Sequence, residues 1–290
     1  SYNFASISAG YRYTCALTSG GTAYCWGDSS SLRSITVPSG VTFTQISTGF
    51  QFACARATSG TTYCWGQNNY GQLGDGTTAY RNDATAVTMP AGVTFTQISA
   101  GYGFTCARAT VGTVYCWGEN ISGQLGDNTT TDHSTPAIVT MPAGVTFASV
   151  YNGNQHSCAL ASTGAAYCWG AANYGQIGNC DADFDSENYL MPIRVGINCL
   201  PATPTASITI TRSSTSTRTS TPVGVPTQTL TPAPGSWGSL SAVSSGFYFT
   251  CALNSSNNAY CWGFNRYGQL GNGTTTNSTT PAGEIGRAHV

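Results

Sequence analysis

The stretch Tyr63–Thr78 reads YCWGQNNYGQLGDGTT. Nearly the same phrase returns at Tyr115 as YCWGENISGQLGDNTT and at Tyr260 as YCWGFNRYGQLGNGTT. A catalytic motif usually occurs once in a domain, whereas a phrase that recurs punctuates a repeat. Aligned on Cys-Trp-Gly, the chain holds five copies, with Trp26, Trp65, Trp117, Trp169 and Trp262 spaced by 39, 52, 52 and 93 residues. The first copy is 13 residues short because DSSSLRSITVPSG replaces the segment that carries Gly-Gln-Leu-Gly elsewhere. The last step is one repeat plus an insertion of 41 residues.

Upstream of each tryptophan stands YTCAL, FACAR, FTCAR, HSCAL or FTCAL, and before that FASISAG, FTQISTG, FTQISAG, FASVYNG or the looser LSAVSSG. FTQIS and FTCAR alternate with period two, and TVYCWG is rich in β-branched and aromatic residues, so each unit predicts a small antiparallel sheet of three or four strands. No segment carries a 3.6-residue period. The chain is therefore expected to be all-β, and sheet repeats of this length predict the blades of a β-propeller. Gly71 and Gly74 flank Gln-Leu just after the strand of Trp65. Glycine adopts positive φ cheaply, so these positions predict a sharp turn that lets neighbouring blades approach, with Leu73 packed inward and Trp65 wedged between blades. A phosphate cradle would need a lysine or a helix start to follow, and neither does.

The stretch GFTCARATVGTVYCWGENISGQLGDNTT (103–130) resembles the repeat of the regulator-of-chromosome-condensation propeller family, which pairs a His-Ser/Thr-x-Ala-Leu-like strand with Trp-Gly-x-Asn-x-x-Gly-Gln-Leu-Gly. Four of the five copies keep Gly-Gln-Leu/Ile-Gly. The resemblance implies about seven blades in a closed ring, so five repeats imply either a chain cut short or a ring completed by another chain. It says little about function, since the family includes nucleotide exchange factors, light receptors and inhibitors.

Twelve cysteines fall into five pairs ten residues apart, namely Cys15/Cys25, Cys54/Cys64, Cys106/Cys116, Cys158/Cys168 and Cys251/Cys261, with Cys180/Cys199 left as a sixth. In a hairpin centred midway, each ten-residue pair faces across the ladder at a distance that suits a disulfide. Zinc knuckles would need Cys-x-x-Cys, which does not occur. Regular pairing argues for an oxidising compartment and hence secretion. Asn120, Asn128, Asn254, Asn272 and Asn277 each open an Asn-x-Ser/Thr sequon.

Charged residues are only 7% of the 290-residue chain, net charge is −1, and every basic residue is arginine. Nothing here would neutralise a phosphate backbone, so nucleic-acid binding is not expected. No apolar run reaches the roughly 20 residues of a membrane span. Residues 1–200 read as repeats one to four and residues 237–283 as the fifth. The segment 201–236 between them is dense in Thr and Ser and holds six of the twelve prolines. Its composition predicts an extended, O-glycan-bearing arm with acceptors at Thr203, Thr205, Ser207, Thr209, Thr211, Thr215, Thr217, Thr219, Thr221, Thr227, Thr229 and Thr231. Residues 284–290, EIGRAHV, read as a non-native tail.

His156 stands where the other copies have an aromatic residue and matches the family's usual histidine, so it is expected to be structural. His133 is placed in a loop, and His289 falls in the tail. Asp181, Asp183 and Asp185 alternate with other residues inside the Cys180/Cys199 loop and could offer oxygens to calcium, but the EF-hand pattern fails at Ser186 and Pro192. No other cofactor is expected. Sixteen tyrosines could line a sugar-stacking face, but Tyr24, Tyr63, Tyr115, Tyr167 and Tyr260 recur at one repeat position, which favours packing. No set of acid, base and nucleophile converges, so no catalytic residue is named. The expected function is a non-enzymatic, secreted glycoprotein that assembles with copies of itself into an extracellular fibre, wall or matrix. The alternative is a recognition propeller that binds a protein or glycan through its loops.

Overall fold

A computed structural model describes residues 3–11, 13–27, 30–179, 188–196 and 239–282. All regular structure among them is strand, arranged as five four-stranded antiparallel sheets, each a meander in chain order. Blade 1 comprises Phe4–Ala9, Tyr13–Thr18, Ala23–Gly27 and Ser30–Ser34. Blade 2 comprises Phe43–Thr48, Phe52–Ala57, Thr62–Gly66 and Arg81–Ala86. Blade 3 runs through Phe95–Ala100, Phe104–Ala109, Val114–Gly118 and His133–Ile138. Blade 4 runs through Phe147–Asn152, His156–Ala161, Ala166–Gly170 and Tyr189–Arg194. Blade 5 is Leu240–Ser245, Phe249–Asn254, Ala259–Gly263 and Ser278–Ala282. The expectation of an all-β propeller holds, and the unit has four strands. Even blade 1, which lacks the Gly-Gln-Leu-Gly segment, finds a fourth strand.

The ten-residue cysteine spacing is a register statement. Cys15 lies directly opposite Cys25, Cys54 opposite Cys64, Cys106 opposite Cys116, Cys158 opposite Cys168 and Cys251 opposite Cys261. Each of these five pairs forms a disulfide between the two middle strands of its blade, with a Cα–Cα distance of 4.1 Å. That is shorter than the roughly 4.5–5.5 Å of unbridged cross-strand pairs. The third-strand partners Cys25, Cys64, Cys116, Cys168 and Cys261 are all buried, next to the tryptophan that follows each of them. No free thiol remains among the described residues. Cys180 and Cys199, the acidic residues Asp181, Asp183 and Asp185, the Ser/Thr/Pro segment with its acceptors from Thr203 to Thr231, and the tail all lie outside the described residues.

The core sits between blades. Trp117, fully buried, joins Leu73 and Val87 of blade 2 in one apolar cluster with Phe95 and Ile98 of its own blade. Equivalent clusters form around Trp65, Trp169 and Trp262. Removing a buried ring of this kind costs about 3–5 kcal/mol. Gly74 has φ +70, and a Cβ on it would meet the Trp117 indole at 2.6 Å. Gly71, φ +79, would meet the backbone of Ser134 in blade 3 at 2.5 Å. The recurrent glycines are therefore where one blade's loop touches the next blade's wedge and outer strand.

The rest of the phrase holds that loop in shape. Asn68 is fully buried; its amide donates to Asp75, to Thr77 O and to Ala79 O, and its Oδ1 accepts from Leu73 N. Asn120 and Asn265 repeat the pattern. Asp75 binds the Thr77 amide and hydroxyl and the Arg81 guanidinium. Burial alone would raise its pKa, but these partners together hold it below the ordinary carboxylate value. In blade 3 the equivalent partner is His133, whose Nε2 lies 2.8 Å from Asp127 Oδ2. His133 thus opens the outer strand rather than lying in a loop, because it takes the pairing role that Arg81 has in blade 2.

First strands of successive blades neighbour one another around a common axis. Gln45 of blade 2 clamps Ile98 of blade 3, accepting from its N–H at 3.1 Å and donating to its carbonyl at 3.0 Å. Gln97 does the same to Val150 of blade 4. Ser8, Ser47 and Ser99 accept from the backbone of Thr48, Ala100 and Asn152 in the following blade. Blade 1 has no blade before it among the described residues, and the consequence is direct. Phe4 is 39% and Ile7 66% exposed, whereas the equivalent Phe95 and Ile98 are 0% and 2% exposed.

Candidate functional site

In an antiparallel meander, the turn between the first and second strands and the loop between the third and fourth emerge at the same end. This end carries the candidate site. Each first strand finishes in glycine plus one further residue: Gly10-Tyr11, Gly49-Phe50, Gly101-Tyr102, Gly153-Asn154 and Gly246-Phe247. All five pairs line one axial cavity of about 300 Å³. The glycines let the backbones meet: a Cβ on Gly10 would strike the carbonyl of Gly49, and one on Gly49 the carbonyl of Gly101. Backbone bonds run from blade to blade around the mouth, from Phe50 N to Tyr102 O at 3.1 Å, Tyr102 N to Asn154 O at 3.3 Å and Asn154 N to Phe247 O at 3.1 Å.

The rings at the mouth touch. Phe50 and Tyr102 stack with centroids 4.5 Å apart, and Tyr11 lies 5.6 Å from Phe50 and 6.0 Å from Phe247. From Phe247 the aromatic surface continues outward over blades 4 and 5. Tyr248 is 4.5 Å from Phe247, Tyr174 4.8 Å from Tyr248, Phe264 5.1 Å from Tyr174 and Tyr267 6.1 Å from Phe264. Tyr267 is 80% and Tyr11 61% exposed. Burial, and then the neighbouring Tyr174 phenol, push the Tyr248 hydroxyl above its ordinary pKa, so it stays neutral. Among the described residues, the side chains lining the cavity are aromatic, amide, hydroxyl or methyl, with none charged. Two of them are buried polar groups without a protein partner, Asn152 Oδ1 and Ser245 Oγ.

Two titratable groups lie behind the turns that line the cavity. Glu119 is 9% exposed and its Oε2 has no partner. Burial, and then repulsion from Asp132, raise its pKa. His156 is fully buried between blades 4 and 5 and held neutral, its pKa driven down to about 3 by desolvation. This agrees with the structural role expected of it.

The sequons separate by burial. Asn120 is fully buried as the hub of its loop, and Asn254 is 6% exposed with its Oδ1 accepting from Ser256 N and Asn258 N. A glycan on Asn120 would displace the bonds that hold its loop. Asn128 is exposed, whereas Asn272 and Asn277 are half-buried, each with Oδ1 bonded to Asn265. Tyr63, Tyr115 and Tyr167 pack against Phe43, Phe95 and Phe147, as their fixed repeat position predicts. The axial residues were not singled out by sequence. Their signal was the single residue after each AG, TG, NG or SG, outside the strand pattern.

The chain is 27% identical over 215 residues to the ultraviolet-B receptor UVR8 of Arabidopsis thaliana, covering 74% of this chain and 40% of that protein. It is 26% identical over 174 residues to the probable E3 ubiquitin-protein ligase HERC4 of Homo sapiens, covering 60% of this chain and 13% of that one. It thus spans less than half the length of either relative. Among solved structures, yeast RCC1 (Prp20) superposes with a TM-score of 0.74 at 17% identity, covering 99% of this chain and 62% of the other, a likeness of fold alone. Models of the regulator of chromosome condensation (RCC1) repeat match residues 4–31, 43–72, 95–124, 147–176 and 241–269, one for each blade. A second RCC1 repeat model matches 59–108, 111–160 and 256–283. These matches follow the blades around the ring, and the chain belongs to the RCC1 repeat family.

Proposed function

We infer that this chain is a non-enzymatic recognition module that binds its partner through the loop face, centred on the axial cavity. The observation that carries this is convergence: five equivalent turns, one per blade, bring aromatic and amide side chains to one mouth. Concave, mostly apolar sites with a few convergent polar groups are where ligands bind. Similarity to a protein named as a receptor supports the same reading. To test it, the chain is immobilised and native extracellular extract is passed over the wild type, Phe247→Ala/Tyr102→Ala and Val111→Ala. Val111 is 75% exposed on a hairpin at the opposite end. Specific capture should vanish in the double variant and persist in Val111→Ala. Equal capture by all three would refute the reading.

A second proposal is self-assembly outside the cell, with the Ser/Thr/Pro segment as a glycosylated arm between copies. Disulfides that suit an oxidising compartment support it. Electron microscopy of native material and of a chain lacking residues 201–236 tests it. Fibres from the first and discrete particles from the second are expected, and fibres from both would remove the arm's role.

A further inference from the structure

We propose that the ligand of the axial face is a neutral carbohydrate chain, with one sugar ring seated in the cavity and the following rings laid along the aromatic row from Phe247 to Tyr267. This rests on the recognition reading above and adds the chemistry of the ligand.

Three observations converge on it. First, none of the described residues that line the cavity has a charged side chain. A charged ligand would lose its hydration without a counter-charge in return, which selects for a neutral one. Its volume, about 300 Å³, lies at the small end of ligand sites and suits one small ring rather than a folded protein element.

Second, two of the residues that line the cavity each carry a buried polar atom without a protein partner. Asn152 is 8% exposed; its Nδ2 donates to Ser99 O at 2.7 Å, while its Oδ1 is buried without a partner. Ser245 Oγ, on the first strand of blade 5, is likewise buried without a partner. A buried group left unbonded costs about 1–3 kcal/mol, so such groups in a native cavity point to something that bonds them. Asn152 Oδ1 needs a donor, and Ser245 Oγ can donate or accept. A sugar hydroxyl is both donor and acceptor and answers the two together, whereas an aliphatic side chain answers neither.

Third, the rings form a row rather than a point. Phe247, Tyr248, Tyr174, Phe264 and Tyr267 follow one another at centroid separations of 4.5, 4.8, 5.1 and 6.1 Å. The face of a pyranose is a patch of C–H groups with hydroxyls at its edge. The electron-rich face of an aromatic ring attracts such C–H groups, and the phenol edges of Tyr248, Tyr174 and Tyr267 can bond the hydroxyls. Successive ring planes are inclined at 79°, 49°, 66° and 76°, so the row offers faces and edges in alternation, to which the C–H patches and hydroxyls of successive sugars correspond.

The test is isothermal titration of the full chain with cellohexaose, fully N-acetylated chitohexaose and mannohexaose as neutral probes and with polygalacturonate and heparin as acidic ones. The variants are Phe247→Ala, Ser245→Val and, as control, Val111→Ala; thermal unfolding of each confirms that it folds. At least one neutral oligosaccharide should bind. Phe247→Ala and Ser245→Val should each weaken it about tenfold, some 1.4 kcal/mol, and Val111→Ala should leave it unchanged. The proposal is overturned if no neutral probe binds, if an acidic probe binds as tightly, or if neither site variant weakens binding. If sugars fail while protein capture still depends on Phe247 and Tyr102, the ligand is a protein and the recognition reading survives. If that capture is also independent of them, both readings fall.

Discussion

His156 Nε2 lies 3.0 Å from Thr250 Oγ1, so a histidine of blade 4 is tied to a threonine of blade 5 in a fully buried interface. Its other ring nitrogen has no partner. Blades 2, 3 and 5 place Phe52, Phe104 and Phe249 at this position.

The burial of His156 makes the fold acid-sensitive in a defined window. The unfolded chain protonates this histidine below its ordinary value of about 6.5, while the folded chain resists until about 3. With the folded pKa depressed, the unfolded state binds more protons between these values, and stability falls as pH drops through the window. His156→Phe should remove this loss. Chemical denaturation at pH 7 and pH 4.5 should show a smaller difference for the variant than for the wild type. An equal or larger difference would show that the site is not dry.

Glu119 predicts the opposite slope. Its folded pKa is raised, so the stability it contributes is present at low pH and is lost as pH rises from the ordinary carboxylate value through the folded one. Blade 2 has Gln67 at the equivalent position. Glu119→Gln should therefore stabilise the protein at pH 7 and change little near pH 4, read as the shift in thermal midpoint at the two values.

Gly74 and Gly92 both have φ near +70, but only Gly74 faces a neighbour. Gly92→Ala should cost about 1 kcal/mol, the strain of the left-handed backbone alone. Gly74→Ala adds a clash with the Trp117 indole and should cost a further 1–3 kcal/mol or so. Urea midpoints compare them. Equal costs would mean that the blades can slide apart at no expense.

Expressed in a glycosylating secretory host, the chain should carry sugar on Asn128 and none on Asn120, as read by peptide mapping. Asn68→Ala removes the hub of the equivalent loop. It should cost about 1–3 kcal/mol, because Leu73 N and the loop carbonyls lose their buried partner.

Much of this molecule was legible in its sequence, because the determining contacts are local or repeat at fixed spacing. The ten-residue spacing of Cys54 and Cys64, or of Cys158 and Cys168, is a hairpin register. Period-two alternation set the strands. Gly71 and Gly74 read as turns because positive φ is cheap for glycine alone. Leu73 and Trp65 read as inward-facing because the phrase that holds them is apolar and recurs. Tertiary structure alone decided the rest. Tyr11, Phe50, Tyr102, Asn154 and Phe247 each occupy one position in a turn, marked only by the glycine before it, and they form a cavity only because five blades radiate from one axis. Gln45 reads as a solvent-facing residue of an alternating strand until the next blade brings the backbone of Ile98 within its reach. Asn120 reads as a glycan acceptor until its loop closes over it. Ile7 and Ile98 stand in nearly identical phrases, yet one is exposed and the other buried. Burial here is conferred by the preceding blade, and no residue of the strand itself encodes whether that blade is present.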